Sequence, residues 1–165
     1  MAEYMHLVHC FEPVYDENSR VLILGSFPSV KSREEGFYYG HPRNRFWRLI
    51  AELYGAPLPQ TTEEKTALLK ACGVALWDSI AECDIAGSDD SSIKNAKAAD
   101  ISGLLKKCPI ERIYANGAAA ARVYAKYQQE RCGMSAVTLP STSPANAAWS
   151  FERLKTAWER VTRGE

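Results

Sequence analysis

Val21-Leu22-Ile23-Leu24-Gly25 is an apolar run closed by a glycine. A strand with one wet face would alternate apolar and polar residues. A run with no polar position reads instead as a strand buried on both faces. Comparable runs recur along the chain: Val74-Ala75-Leu76-Trp77 ending at Asp78, Glu111-Arg112-Ile113-Tyr114-Ala115 ending at Asn116-Gly117, and Ala136-Val137-Thr138-Leu139 ending at Pro140. Between them lie segments with helical periodicity. Phe46, Trp47, Leu49, Ile50 and Leu53 follow Pro42 at helical spacing, and Thr61-Thr62-Glu63-Glu64 has capping-box spacing that predicts a helix to about Lys70, stopped by Gly73. Further helices are expected from Asp100 through Leu105, from Ala118 to Glu130 and from Ala147 to Val161. Ser26–His41 reads as turns, and the polar, Gly/Ser/Asp-rich stretch Asp84–Asn95 as a loop.

Strands alternating with helices predict an α/β fold: three layers, α/β/α, around a central, mainly parallel four-stranded sheet, with residues 1–165 forming one domain. Ligands of such sheets bind at the carboxyl ends of the strands. The segments leaving those ends are Gly25–Ser29, Asp78–Ile80, Asn116-Gly117 and Pro140–Asn146, and the site is expected there.

Composition removes several function classes. Twenty basic residues balance twenty acidic ones, which argues against holding a polyanion by bulk charge. The balance is uneven locally, because Lys31, Arg33, Arg43, Arg45 and Arg48 face only Glu34 and Glu35 in one segment. The five cysteines are odd in number and none forms C-x-x-C, so neither a disulfide framework nor a cysteine-rich zinc site is expected. His6, His9 and Cys10 cluster loosely but lack a fourth ligand at a sensible spacing, and no metal is expected. No apolar run approaches the ~20 residues of a membrane helix, and Met1–Cys10 does not read as a leader, so the expectation is a cytoplasmic protein with no membrane partner. No dinucleotide fingerprint, P-loop or nucleophile elbow is present.

Two constellations carry chemistry. Gly25-Ser26-Phe27-Pro28-Ser29 leads into Gly36-Phe37-Tyr38-Tyr39-Gly40-His41-Pro42-Arg43-Asn44-Arg45-Phe46-Trp47. A glycine at a strand end admits close approach to a ligand, aromatics offer faces for a base, and arginines at a helix start can reach phosphates. The second is Leu139-Pro140-Ser141-Thr142-Ser143-Pro144-Ala145-Asn146. The first resembles the F-x-F/Y-x-H-P-x-N-x-F-W segment of the mismatch-specific uracil/thymine-DNA glycosylases, and the second is similar to their motif after the last strand. Asn116-Gly117 resembles the Asn-Gly ending their third strand. The likeness runs from about Val21 to Asn146 in the same order, and GSFPS with PSTSPAN is most similar to the hypoxanthine-DNA glycosylase branch of the uracil-DNA glycosylase superfamily.

That resemblance implies a uracil-DNA glycosylase-like fold and a cofactor-free, monomeric DNA glycosylase that flips a deaminated base from DNA and hydrolyses its N-glycosidic bond. The mismatch-specific relatives read Gly-Ile-Asn-Pro at the first motif, where the Asn positions water; here Phe27 stands at that position. The hypoxanthine branch shares this loss, and the resemblance implies that Asn44 takes the catalytic role, with His41 donating to base or phosphate. Asn116 is expected to read the base edge, since an amide both accepts and donates. Tyr39 is expected to stack on the base, and Phe27 with Gly25 and Ser26 to line its pocket. Ser141, Thr142, Ser143 and Asn146, with Arg43, Arg45 and Lys31 outside them, are expected to contact DNA phosphates. Ala145 and Ala147 replace the bulky wedge of some relatives, and these cysteine spacings do not match the iron–sulfur ligands that others carry. Only Lys31 among the motif positions is an amine, so lyase chemistry is not expected. Other readings are a uracil or other damaged-base enzyme of the same fold, a non-catalytic lesion-DNA binder, and a serine hydrolase using Ser141 or Ser143 with His41 and Asp78.

Overall fold

The computed structural model describes residues 3–165. Met1 and Ala2, the head of the segment read as lacking a leader, lie outside the described residues. The chain runs through β1 (Tyr4–Val8), β2 (Val21–Gly25), α1 (Val30–Glu35), α2 (Phe46–Leu53), α3 (Thr62–Cys72), β3 (Val74–Asp78), β4 (Ile80–Ala86), β5 (Lys94–Ala98), α4 (Ile101–Lys107), β6 (Arg112–Asn116), α5 (Ala118–Tyr127), α6 (Gln129–Cys132), β7 (Ala136–Leu139) and α7 (Phe151–Arg163). The apolar runs form the expected sheet, in the order β3-β2-β6-β7, with every neighbouring pair parallel. β2 is central, and Leu22, Ile23 and Leu24 are fully buried, as an all-apolar run requires.

Alternate residues of the strands feed two cores. Ile23, Leu76 and Tyr114 pack with Phe46, Leu49 and Ile50 of α2 and Leu154 and Trp158 of α7. Leu22, Leu24, Ala75 and Ile113 pack with Leu104 of α4 and Tyr124 of α5. This period-two division between covered faces makes three layers. The four strand ends lie side by side: in register, Gly25 pairs with Asp78, and Asn116 with Leu139.

The structure narrows the expected loop at Asp84–Asn95. Its middle, residues 87–93, is the expected turn, but its two ends belong to β4 and β5, an antiparallel hairpin that joins β1 in a second, three-stranded sheet. The alternation is blurred by register shifts between Ile80 and Glu82 and between Glu82 and Asp84, so period two fails locally. Polar pairs hold the sheet's open side, among them Lys97–Glu82 at 2.7 Å and Asn95 Nδ2 to Asp84 at 2.8 Å. The helix expected over Ala118–Glu130 breaks at Gln128, whose buried amide donates to Ser79 O and Ala99 O at 2.7 and 2.8 Å. The last helix starts at its Ser150 cap rather than at Ala147, because Pro144–Asn146 forms a 3₁₀ turn.

Candidate active site

The ends of β2, β3 and β6 and the loop after β7 surround a cavity of about 350 Å³, toward the small end for small-molecule sites. Gly25, Ser26, Phe27, Tyr39, His41, Asn44, Asn116, Ser141, Thr142 and Ser143 all line it. The two motifs, about a hundred residues apart in sequence, therefore meet where the parallel sheet predicts a ligand.

One wall is a chain of amides and hydroxyls with fixed polarity. Asn116, at the end of β6, accepts from the Thr142 backbone N–H at 3.0 Å, and its Nδ2 donates to Thr142 Oγ1 at 3.0 Å. Thr142 Oγ1 in turn donates to Asn44 Oδ1 at 2.8 Å, and Asn44 Oδ1 also accepts from the Phe46 backbone N–H at 2.9 Å. A backbone N–H can only donate, so the atom facing it is the amide oxygen in each case. Asn44 thus supports the start of α2 with its oxygen, while its amide nitrogen has no protein partner among the described residues. His41 is oriented likewise. Its Nδ1 accepts from the Arg43 backbone N–H at 3.0 Å, which puts the proton of the neutral ring on Nε2.

Tyr39 lies at φ 52°, a left-handed conformation rare for an aromatic residue, and its ring stacks on Phe46 with centroids 4.3 Å apart. Its buried hydroxyl has no hydrogen-bond partner among the described residues. Burial, then the Asp78 charge, pushes its pKa up, while the nearby Asn116 side chain works against the shift. Backbone strain and an unpaired polar atom thus coincide at a residue that lines the cavity. Phe27 lines the cavity and packs behind it on Ile80, Cys83, Ile85 and Val123.

The opposite wall holds a feature that the motif reading missed. Asp78, the last residue of β3, accepts from His9 at 2.8 Å; both side chains are more than nine-tenths buried. A Cβ on Gly25 would collide with Asp78 Oδ1, so the glycine makes room for the carboxylate. The only sequence signal for this pair was polarity, an aspartate ending an apolar strand. His9 leaves the loose His6–Cys10 cluster to form it, and among the described residues no group of His, Cys, Asp or Glu is placed to hold a metal.

Four residues expected at phosphates have their polar groups engaged within the protein. Thr142 is fully buried, with its hydroxyl and backbone N–H both engaged by amides. The Arg45 guanidinium donates to the carbonyls of Trp149, Ser143 and Asn146, so it holds the loop after β7 in place. Lys31 pairs with Glu34 and Glu35 along α1, 3.6 and 3.2 Å away, and does not line the cavity. Asn146 also holds the loop, donating to Ser141 O at 3.0 Å. Ser141 and Ser143 hydroxyls each accept a backbone N–H at 3.1 Å and keep their own hydrogens to donate. Arg43 is exposed, and its guanidinium forms no ion pair among the described residues.

Comparison with known proteins gives a consistent result. Residues 12–162 match a family described as "Uracil DNA glycosylase superfamily". A protein of Methanosarcina acetivorans named "Hypoxanthine DNA glycosylase" is 39% identical over 157 residues, which cover 93% of this chain and 96% of that one. A protein of the same name from Methanosarcina barkeri is 37% identical over 100 residues, covering 60% of this chain and 63% of that one. A solution NMR structure of a candidate uracil DNA glycosylase from Methanosarcina acetivorans superposes with a TM-score of 0.80 at 37% identity, covering 96% of this chain and 98% of that one.

Proposed function

The chain belongs to the uracil DNA glycosylase superfamily, and from that premise we propose that it is a monofunctional DNA glycosylase that removes a deaminated base, hypoxanthine first, from DNA. The observation that carries this reading is the fixed polarity of Asn44. In a chain with Phe27 at the first motif, Asn44 lines the cavity with its oxygen occupied and its amide nitrogen free to donate.

Hydrolysis of the C1′–N bond leaves positive charge on the sugar and negative charge on the departing base. Donors already aimed at the base favour that state without reorganising, and one such donor contributes about 10²–10³ in rate. Asn44 Nδ2 and His41 Nε2, both on residues that line the cavity, take this role. Asn116 is half engaged by Thr142 and keeps one N–H and one lone pair. Those suit the N–H and carbonyl that hypoxanthine and uracil share, whereas adenine presents the reverse pattern and would leave both unpaired, at about 1–3 kcal/mol each. Tyr39 supplies an aromatic face. Ser141, Ser143 and Arg43 hold the flanking phosphates, weakly enough to suit a protein of zero net charge. The protein acts as a monomer in the cytoplasm.

The test uses end-labelled oligonucleotides carrying deoxyinosine, deoxyuridine or no lesion, with alkali-induced nicking as the readout. Nicking at deoxyinosine that disappears in Asn44→Ala is the expected result. Nicking at deoxyuridine alone would move the substrate to uracil. Binding without nicking on every substrate would overturn the enzymatic reading.

A further inference from the structure

Both side chains assigned to catalysis are donors toward the cavity. Asn44 Oδ1 is occupied by Phe46 N–H and Thr142 O–H, and His41 Nδ1 by Arg43 N–H. Hydrolysis also needs an acceptor, because the water that bonds C1′ must release a proton, and a negative group favours the cationic sugar. Phe27 supplies none. Among the described residues, the carboxylates lining the cavity are Asp78 and Asp90. Asp78 lies beside the Gly25 backbone with one oxygen taken by His9 at 2.8 Å.

Asp90 is placed differently. It lines the cavity and also a shallow groove that runs along Thr138, Pro140, Ala145 and Trp149, so it stands where the two join. A flipped nucleotide puts its base inside the cavity and its phosphates outside, which leaves C1′ at that junction. The turn carrying Asp90 is anchored from several sides. Ser88 Oγ accepts from the Val30 N–H at 2.9 Å, and Arg33 ties Pro28 O to Gly87 O at 2.7 and 3.3 Å. Asp89, not Asp90, caps the turn, through Ser91 N–H at 3.0 Å. The Asp90 carboxylate is left outside every ion pair among the described residues.

We infer that Asp90 is the acceptor carboxylate of base excision, taking over from another element the function that the first motif lacks. The inference rests on the glycosylase reading. Water oxygen bonds C1′, the C1′–N electron pair leaves with the base, and Asp90 takes one proton from the water. The base, stabilised as an anion by Asn44 and His41, takes a proton from solvent, and Asp90 returns its own. Burial raises the pKa of Asp90, Asp78 and Asp89 push it the same way, and the Ser26 side chain and Arg122 oppose them. Those are also the groups that set the pH at which the carboxylate becomes available.

The experiment compares wild type, Asp90→Asn and Asp78→Asn in the full chain. Single-turnover excision of deoxyinosine is followed across pH, and affinity is measured for an oligonucleotide carrying non-hydrolysable 2′-fluoroarabino-inosine. For Asp90→Asn the expected result is excision slower by about 10²–10⁴-fold, unchanged probe binding, and loss of the rise in rate with pH that wild type shows. Melting scans check that the variants fold. Asp90→Asn excising at the wild-type rate, or losing rate and probe binding in equal proportion, overturns the inference. So does a pH rise that survives in Asp90→Asn and vanishes in Asp78→Asn. Wild type that binds the probe but excises no base sinks the glycosylase reading and this assignment with it. Wild type that excises beside an equally active Asp90→Asn sinks this assignment alone.

Discussion

On the β6–β7 side of the cavity, Asn116, Thr142 and Asn44 are joined by hydrogen bonds whose direction two backbone N–H groups determine, and what remains for a ligand is mainly donors. On the β3–hairpin side, Asp78 and Asp90 bring acceptors, one paired with His9 and one outside any ion pair among the described residues. A reaction that separates a base anion from a sugar cation is matched by this division. Donors on one wall and a carboxylate at the mouth each stabilise the charge that develops beside them. The polar atoms of the donor wall satisfy one another, whereas the acceptor wall keeps the Asp90 carboxylate outside every ion pair among the described residues.

The largest effect that can break this comparison is Asn44→Asp. A carboxylate keeps both hydrogen bonds that the Asn44 oxygen accepts, removes the N–H donors and puts a negative charge beside the departing base. Single-turnover excision should fall by about 10²–10³-fold with little change in melting temperature. An unchanged rate would mean that the donor wall is structural. Next comes Thr142→Val, which keeps the volume and deletes the hydroxyl between two amides. Urea unfolding should show a loss of about 2–4 kcal/mol, since two groups in the network lose a partner, while Thr142→Ser restores most of it.

Arg45 and Arg43 separate scaffold from DNA contact. Arg45→Ala releases three loop carbonyls and should cost about 1–3 kcal/mol of stability, leaving the salt dependence of DNA binding in place. Arg43→Ala should leave stability alone and reduce the slope of log K against log salt by about one. The smallest effect sharpens the acceptor wall. The folded chain holds the pKa of Asp90 above its unfolded value, mainly through burial. Folding therefore favours the protonated acid: that contribution is intact below the unfolded pKa and lost as pH rises through the folded one. Asp90→Asn should melt slightly higher than wild type at neutral pH, and the advantage should fade as the pH is lowered through the carboxylate range. Stability gained where activity is lost is the expected signature of a functional group held at a cost.

Most of the parallel sheet was legible because burial on both faces writes itself into consecutive residues: Leu22, Ile23 and Leu24 admit no polar alternative. The second sheet was not, because β1 and β4 pair across 82 positions at Tyr4–Ala86, and register shifts interrupt the alternation in β4 and β5. Ten of the fourteen residues read as site residues line the cavity, seven of them at or just after the ends of β2, β6 and β7. Lys31, Arg43, Arg45 and Asn146 do not line it, and Lys31 and Arg45 are engaged by partners within the protein.

The amino-acid sequence by itself determined the alternation of strand and helix, the end of the sheet where a ligand binds, and the residue types gathered there. Those properties follow from local periodicity and from turn residues a few positions apart. The tertiary structure decided what each polar group has left to offer. Asn44 became a donor because Thr142, 98 positions away, filled its oxygen, and Asp78 became half of a buried pair because His9, 69 positions away, reached it. A side chain's type states its full hydrogen-bonding capacity. Which part of that capacity remains free is set by partners brought near only when the chain folds.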